Sequence, residues 1–443
     1  MNDRVAPLYQ AHIETVKQRH DKALAGSGYD HIIIFGGEIH IQFLDDSFYP
    51  FKVNPHFKAW VPIVDNPHCF IVYTPGKTPR LVYYQPVDYW YKPAAAPAGY
   101  WVEHFDIRVI GSPEAAKEHF PPTGRVAFVG EPSGLSTLNR ADANPEKLLS
   151  ALHFERSWKT DYEIACLTEA NTRGVRGHRA AARAFREGKS EFEIHIDFLL
   201  QSSQAEEELP YGNIIALNQN ASVLHYLNHE REQPGDLRYS FLIDAGAQYH
   251  GYASDITRTY ARDERGEFAL LIEAMDAMQQ RLCIMARPGV NYIDIHMAAH
   301  AEVATILHDF DFVRELDAAG IVEKQISSAF FPHGVGHFLG LQVHDVAGFH
   351  QDRAGCIIAK PEGHPYLRLT RIIDPRMVFT IEPGLYFIDS LLAGLRKSEN
   401  AKYVNWTKVD DFRKFGGIRI EDDVVVTSDG HVNMTRDAFG GTE

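Results

Sequence analysis

Two aspartates interrupt apolar, strand-like runs in the segment SFLIDAGAQYHGYASDITRTY, residues 240–260. Asp244 ends the first run, and Asp255 lies within the second. If AQYHGY forms a turn near residues 249–250, the two strands pair in antiparallel fashion and the two aspartates lie across from each other. Two carboxylates at facing positions of a sheet repel each other, so the pattern predicts a positive group between them.

Two glutamates and a histidine-rich loop extend this pattern. Glu382 follows an apolar run in VFTIEPG, and Glu421 lies in FGGIRIEDD. The loop FFPHGVGHFLGLQVHD contributes His333, His337 and His344. The two glycines in HGVGH argue against a helix at this point. Because buried carboxylates are rare unless they are paired or bind a metal, these residues together predict a metal site built from distant parts of the chain.

The charge of the predicted site favours two metal ions over one. Four carboxylates carry four negative charges, which two divalent ions neutralise before a bridging hydroxide is added, whereas one ion leaves the site strongly negative. Oxygen-rich coordination with one imidazole favours Mn²⁺, with Co²⁺ or Zn²⁺ as alternatives. Taken singly, each residue has a structural alternative, since an aspartate beside glycine is commonly a turn residue.

Composition narrows the class of protein. The net charge of −15 argues against a nucleic-acid partner, which requires a basic face. The first 24 residues contain no long apolar run, so neither a signal peptide nor a membrane span is expected. Four widely spaced cysteines fit a reducing compartment. We therefore expect a soluble, cytoplasmic protein with no membrane partner.

The order of predicted elements indicates two domains. An amphipathic N-terminal helix precedes four short strand-like runs, DHIIIFGG, CFIVYTPG, RLVYYQP and RVAFVGEP, which predict an α/β domain over residues 1–157. The capping-box patterns Thr160–Glu163 and Ser190–Glu193 begin two helices, the first ending near Gly188, and helical patterns recur at 266–286 and 292–309. With the intervening strand-like segments, they predict an α+β domain with an antiparallel sheet over residues 158–443.

The motifs HGVGHFLGLQVHD, TIEPG and GGIRIED, together with the aspartate pair, resemble the metal-dependent "pita-bread" peptidases. This family includes methionine aminopeptidase, aminopeptidase P and Xaa-Pro dipeptidase (prolidase). The resemblance implies a C-terminal pita-bread catalytic domain with a curved antiparallel sheet, preceded by an α/β domain. It also implies five metal ligands, Asp244, Asp255, His337, Glu382 and Glu421. In that scheme Asp244 and Glu421 bridge the two ions, Asp255 binds one, and His337 with Glu382 binds the other.

Two further stretches, QFLDDSFYPFKVNPHFKAWVP and PYGNIIALN, resemble the bacterial Xaa-Pro dipeptidase branch, which includes organophosphorus acid anhydrolases. The resemblance assigns catalytic roles to Glu382 as proton shuttle and to His333 and His344 as oxyanion or substrate groups. Arg419, two residues before Glu421, is expected either to support a metal ligand or to contact the substrate. It implies substrate binding by His225 and Arg368. Tyr211 is a further candidate for substrate binding, and Asp45, with Asp46 as the alternative, is a candidate because the substrate amine requires an acid. Asp45 or Asp46 is expected to bind the substrate amine, reaching across a homodimer.

The expected activity is hydrolysis of Xaa-Pro dipeptides, with phosphotriester hydrolysis as a side activity. Aminopeptidase P activity on Xaa-Pro-Yaa peptides is the nearest alternative. A non-catalytic binding protein is less well supported, because such a relative is expected to lose metal ligands and all five positions are retained.

Overall fold

The computed structural model describes residues 4–133 and 141–441, which form two compact units. Within these residues, the first unit runs to Cys166 and includes 249–252 and 350–357, and the second contains 167–248, 253–349 and the remainder from 358. The predicted domain ends at residues 1–3 and 442–443 lie outside the described residues. The predicted boundary between residues 157 and 158 stays a prediction.

The first unit is built around a six-stranded mixed sheet. Its helices are α1 (Tyr9–Ser27), α2 (Pro55–Lys58) and α3 (Glu146–Arg156), and its strands are β1 (His31–Phe35), β2 (Phe70–Tyr73), β3 (Arg80–Tyr84), β4 (Asp106–Ile110), β5 (Val126–Val129) and β6 (Ala141–Ala143). The strand order is β4-β3-β2-β1-β5-β6, and β1 pairs in parallel with β5 but antiparallel with β2. The four predicted strands and the N-terminal helix are confirmed. The sequence did not indicate β4 and β6, which are edge strands with charged residues.

Nine further α-helices follow within the described residues, and the first two of them begin with the predicted capping boxes. They are α4 (Asp161–Glu187), α5 (Glu191–Ser202), α6 (Glu267–Ile284), α7 (Tyr292–Asp309), α8 (Ala318–Glu323), α9 (Ile326–Phe330), α10 (Asp389–Lys397), α11 (Trp406–Phe412) and α12 (Met434–Gly440). At the start of α4 the Thr160 N–H donates to Glu163 Oε2 over 2.8 Å, and the Glu163 N–H donates to Thr160 Oγ1 over 3.3 Å. The reciprocal bonds between Ser190 and Glu193 start α5 in the same way. The periodic patterns thus predicted α6 and α7 to within two residues.

The second unit contains short antiparallel strands. The remaining strands of the chain are β7 (Ile214–Leu217), β8 (Ser240–Asp244), β9 (Gln248–Tyr249), β10 (Tyr252–Ala253), β11 (Thr257–Ala261), β12 (Val378–Ile381), β13 (Gly384–Tyr386), β14 (Gly417–Arg419), β15 (Asp422–Val426) and β16 (His431–Asn433). They form the sheets β11-β8-β7, β12-β15-β16 and β13-β14 of the second unit and the pair β10-β9. A single bridge between Thr257 and Glu421 connects β11 to the segment between β14 and β15. The predicted antiparallel sheet is confirmed.

A buried apolar layer supports the β7–β8 pair. Ile215, Phe241 and Ile243 pack with Phe198 of α5 and Phe185 of α4. Asp244, at the carboxyl end of β8, is the one residue of this strand that is only partly buried. Across residues 4–133 and 141–441, no helix is long and apolar enough to cross a membrane.

Candidate metal centre

The pairing of β8 with β11 positions the first two carboxylates. Asp244 is the last residue of β8 and pairs with Thr257, the first residue of β11. Asp255 precedes Thr257 by two residues, so its side chain emerges on the same face of the ladder, diagonal to Asp244. The prediction that the two aspartates lie directly across from each other is therefore wrong by two positions.

The position of the turn explains this difference. The chain reverses at His250 and Gly251, which have φ angles of +50° and +86°. The reversal therefore lies one residue later than predicted. The hydrogen bond from the Ser254 N–H to the carbonyl of Ala247, over 2.8 Å, agrees with this position of the turn. A shift of one residue at a turn moves the facing pairs of the two strands by two, which keeps both carboxylates on one face.

Glu382 and Glu421 both lie at breaks between strands. The predicted strand-like segment MVFTIEPGLYF divides into β12 and β13, and GGIRIEDDVVV divides into β14 and β15. Pro383, which has no N–H to donate, follows Glu382 directly and ends the β12 ladder. The Glu421 N–H instead donates to the carbonyl of Thr257 over 3.1 Å. These breaks bring both glutamates to the end of the β8–β11 pair.

The glycine-rich loop holds His337 in one orientation. The His337 N–H donates to Thr380 Oγ1 over 3.2 Å, and the Thr380 N–H donates to the carbonyl of His337 over 2.9 Å. The Nδ1 of His337 lies 3.0 Å from the carbonyl of Phe338, so the neutral ring carries its proton on Nδ1. Its Nε2 then directs a lone pair toward Asp255 Oδ2 at 3.3 Å and Glu382 Oε1 at 3.5 Å. A lone pair that faces two carboxylates needs a positive charge beside it, which either a proton on Nε2 or a metal ion supplies.

The pKa values of the four carboxyl groups show that the cluster holds too little positive charge to keep all of them ionised. Burial, with the neighbouring carboxylates, raises the pKa of Glu421 well above its usual value. Burial also raises the pKa of Asp244, against the effect of Arg419, and that of Glu382 to about 7. Burial opposes ionisation of Asp255 too, but the hydrogen bond to His337 lowers its pKa.

The donor atoms of three of these residues are already gathered. One ligand atom each of Asp255, His337 and Glu421 lies within 4.8 Å of the others, and all three residues are buried. Buried carboxylates with one imidazole are a donor set that suits a divalent cation. The residues present therefore fit a divalent metal ion.

Arg419 occupies the other side of the cluster. Its Nη2 donates to Asp244 Oδ2 over 2.6 Å, and its Nη1 donates to the hydroxyl of Tyr386 over 2.8 Å. The hydroxyl of Tyr211 donates to Asp244 Oδ1 over 2.8 Å, and that of Thr257 donates to Glu421 Oε2 over 2.6 Å. Tyr211 thus contacts a predicted metal ligand, and its predicted substrate role stays a prediction.

His333 is held by two partners. Its Nδ1 lies 2.8 Å from the carbonyl of Gly334 and therefore carries the proton in the neutral ring, while its Nε2 accepts from the hydroxyl of Tyr386 at 2.8 Å. Burial and the charge of Arg419 lower the pKa of His333 to about 3, so it is neutral near pH 7. His333 therefore orients the tyrosine that contacts Arg419.

The remaining histidine of the loop is open to solvent. His344 is exposed, and its ring stands edge-on to the His337 ring with centroids 4.3 Å apart. Partial burial and the charges of His337 and Arg368 lower its pKa to about 4. Exposed His225 acts on the pKa values of both His333 and His344. His225, Arg368 and His344 thus lie on the accessible side of the cluster.

Asp45 belongs to the first unit, in an exposed turn. Its carboxylate accepts from the N–H of Asp46 over 2.7 Å and from that of Ser47 over 3.3 Å. These hydrogen bonds lower its pKa, so the side chain is ionised near neutral pH.

Sequence reasoning missed the residues that support the ligands. Asp423 Oδ2 accepts from the Asp255 N–H over 3.0 Å and from Asn171 Nδ2 over 2.8 Å, which fixes the backbone at Asp255. Tyr386 and Thr257 were missed as well. The one available signal was the strand period of two, which places Thr257 on the same face as Asp255.

Comparisons with known proteins identify the family of this chain. The description "Xaa-Pro dipeptidase, N-terminal domain" matches residues 7–154, and "Metallopeptidase family M24" matches residues 165–428. A protein named Xaa-Pro dipeptidase from Pseudoalteromonas haloplanktis is 49% identical over 436 residues, covering 98% of this chain and 99% of that protein. One of the same name from Xanthomonas campestris pv. campestris (strain B100) is 51% identical over 434 residues, covering 98% of each.

Solved structures share the fold. Zn-substituted aminopeptidase P of E. coli in complex with product has a TM-score of 0.72 at 22% identity, covering 96% of this chain and 95% of that one. Aminopeptidase P II from Yersinia pestis has a TM-score of 0.70 at 21% identity, with 96% of each chain covered. The predicted α+β architecture, a pita-bread catalytic domain after an α/β domain, is confirmed, and the chain belongs to metallopeptidase family M24.

Proposed function

We propose that this protein is an Xaa-Pro dipeptidase that uses two divalent metal ions. The observation that carries the proposal is identity of about half, over nearly the whole chain, to proteins named Xaa-Pro dipeptidase. The gathered carboxylates and the single imidazole Nε2 that faces them support it. In the proposal Asp244 and Glu421 hold both ions, Asp255 holds one, and His337 with Glu382 holds the other.

The bound ions supply a Lewis acid for the scissile carbonyl and lower the pKa of water. We propose Mn²⁺ as the native metal, because the donors are mostly carboxylate oxygens. Glu382, whose pKa lies at about 7 in the metal-free cluster, is suited to accept a proton and return it to the leaving amine. His344 is the better choice for the oxyanion, because both ring nitrogens of His333 have protein partners.

An enzyme that selects dipeptides needs a positively charged side chain that binds the carboxylate of the substrate's C-terminal residue. Arg368 is exposed, and its charge acts on His344. A guanidinium binds a carboxylate through two charge-assisted hydrogen bonds. We therefore propose that Arg368, with His225, binds the proline carboxylate and thereby limits substrate length.

Replacing Arg368 by alanine is expected to lower kcat/KM for an Xaa-Pro dipeptide by about 10- to 100-fold, mainly through KM, because one charge-assisted contact is lost. The matched variant Arg368→Lys retains the charge and should recover part of that loss. Steady-state kinetics with a dipeptide and its C-terminal amide test this. If the alanine variant affects both substrates equally, Arg368 does not bind the carboxylate.

Asp45 is our proposed ligand of the substrate amine, acting across a homodimer. The turn that carries it also exposes Phe43 and Leu44, which are 86% and 91% accessible. Tyr89 and Trp90 in the same unit are also exposed, and apolar surface of this kind is typical of an interface. Sedimentation of the wild type and of Leu44→Asp tests the dimer, and a monomeric wild type would refute it.

A cytoplasmic location is also part of the proposal. Cys69, Cys166, Cys283 and Cys356 form no disulfide with one another. Free thiols persist in reducing compartments.

The activity is tested with three classes of substrate. The Mn²⁺-loaded enzyme is expected to cleave Ala-Pro and Leu-Pro, to cleave the matching Xaa-Pro-Yaa tripeptides far more slowly, and to hydrolyse a phosphotriester only as a minor activity. Efficient tripeptide cleavage would favour aminopeptidase P activity instead. No cleavage of any Xaa-Pro dipeptide would refute the proposal.

The affinity for Mn²⁺ is expected to rise with pH between about 6.5 and 9. Burial alone would lower the pKa of His337, but Asp255 and Glu382 raise it to about 9 in the metal-free chain. Below that pH the ring holds a proton that must leave before Nε2 can bind a metal, so each displaced proton changes affinity by up to about tenfold per pH unit. Calorimetry at pH 7.5 in two buffers of different ionisation enthalpy should show net proton release, and zero release would contradict the expectation.

A further inference from the structure

Three histidines outside the carboxylate cluster meet in the second unit. His296 and His300 lie one turn apart on α7, and His364 comes from the loop that follows the histidine-rich segment. One ring nitrogen of each lies within 4.8 Å of the other two. Histidines at i and i+4 on a helix present their rings on one face, which is the spacing that helical zinc sites use.

The hydrogen bonds of this three-histidine cluster leave it incomplete. His296 Nε2 lies 2.9 Å from His364 Nδ1. His296 is only 1% exposed, yet its Nδ1 has no partner among the described residues. A neutral imidazole has one donor and one acceptor nitrogen, so one of the two on His296 is buried without a partner in either tautomer.

A hydrogen bond to a neighbouring side chain holds one of the three rings in an orientation that suits metal binding. His300 Nδ1 lies 3.1 Å from the hydroxyl of Ser327, which frees its Nε2. Burial and the nearby imidazoles lower the pKa of His296 to about 2 and that of His300 to about 3, so both rings are neutral with lone pairs available near pH 7. His364 is partly exposed and provides a route for an ion to enter.

We propose that His296, His300 and His364 bind one Zn²⁺ ion, at a site separate from the carboxylate centre. Three imidazoles favour Zn²⁺, whereas the carboxylate-rich centre favours a harder cation such as Mn²⁺. Tetrahedral zinc with three histidines keeps a fourth position for water, which the exposed edge of His364 can admit.

The site adjoins the proposed active-site loop. Phe331 packs against the rings of His296 and His300, with centroids 6.0 Å and 4.8 Å away, and against that of His333 at 4.9 Å. Bound zinc would therefore hold the rings that pack against Phe331 in place. Its main expected effect is a higher melting temperature of the protein.

Zinc binding is tested in the full chain with the carboxylate centre disabled by Asp255→Asn and Glu421→Gln. After equilibrium dialysis against Zn²⁺ at about 10 μM, elemental analysis should find about one zinc per chain, with a higher melting temperature. Adding His364→Gln should remove the bound zinc and the thermal shift. The matched control His308→Gln removes an exposed histidine from the same helix and should retain both.

X-ray absorption on the zinc-loaded double variant tests the ligands without altering the cluster. The expected spectrum shows three nitrogen ligands at about 2.0–2.1 Å. Wild-type crystals loaded with Mn²⁺ and then soaked in Zn²⁺ should show anomalous density at the zinc edge among the three rings. Absence of zinc from the double variant, an oxygen-dominated spectrum, or zinc content unaffected by His364→Gln would overturn the proposal.

Discussion

The variant Asp255→Asn is expected to lose about 10³-fold or more in kcat/KM for Xaa-Pro dipeptides. Asp255 lies at the centre of the cluster, with its Oδ2 3.3 Å from His337 Nε2 and its backbone held by Asp423. The amide that replaces the carboxylate is neutral and binds divalent cations weakly. Metal content after Mn²⁺ loading and desalting, measured beside the kinetics, should fall below that of the wild type.

The metal-free form of this variant should remain folded, because the lost interaction between Asp255 and His337 is offset by relief of repulsion among the buried carboxylates. The charge of Asp255 raises the pKa values of Asp244, Glu382 and Glu421, so its removal relieves repulsion among buried groups. Asp294→Asn is the matched control, since this aspartate is exposed in the first turn of α7. Retained activity in Asp255→Asn would refute the metal assignment.

The second large effect is expected from Gly336→Ala, which should lower the free energy of unfolding by roughly 3 kcal/mol or more. A Cβ atom at this position would overlap the carbonyl oxygen of Thr380 and the hydroxyl of Tyr292. Those two groups are bonded to each other over 2.7 Å, and both lie within the buried interior. Relief requires the loop to move away from β12, which would carry His337 with it.

Urea denaturation of the metal-free protein measures this loss, and metal content reports the displacement of His337. Gly394→Ala is the matched control, because it lies inside α10 with no atom within 4 Å of an added Cβ. That change should stabilise the protein by about 0.5–1 kcal/mol. Equal stability of the Gly336 variant and the wild type would show that the loop tolerates a side chain there.

Local patterns predicted the five longest of the described helices, α1 and α4 to α7. The capping boxes at Thr160 and Ser190 formed as expected, and α6 and α7 lie where the apolar periodicity places them. A cap and its helix involve residues three or four apart, so the sequence carries all the information needed. The strand-like segments around Glu382 and Glu421 were identified, but each divides at the glutamate.

The register of the aspartates was beyond local reasoning. Which residue begins the turn at His250 depends on how the ladder continues from Asp244 and Thr257, and on the core beneath it. An error of one residue in the position of the turn shifts every pair of facing residues in the two strands by two positions. The three-histidine cluster was missed for a related reason, since His364 is 64 positions from His300 in the chain.

The sequence by itself indicated the residues that we propose carry the chemistry of the centre. A carboxylate within an apolar run is too costly to bury without a partner, so Asp244, Asp255, Glu382 and Glu421 could be identified before any fold was known. The tertiary structure alone decided how the side chains meet. It placed Arg419 on Asp244, joined His333 to Tyr386, and turned His337 Nε2 toward the carboxylates. Each of these contacts joins residues far apart in the chain, and such contacts depend on packing and register, which no local pattern encodes.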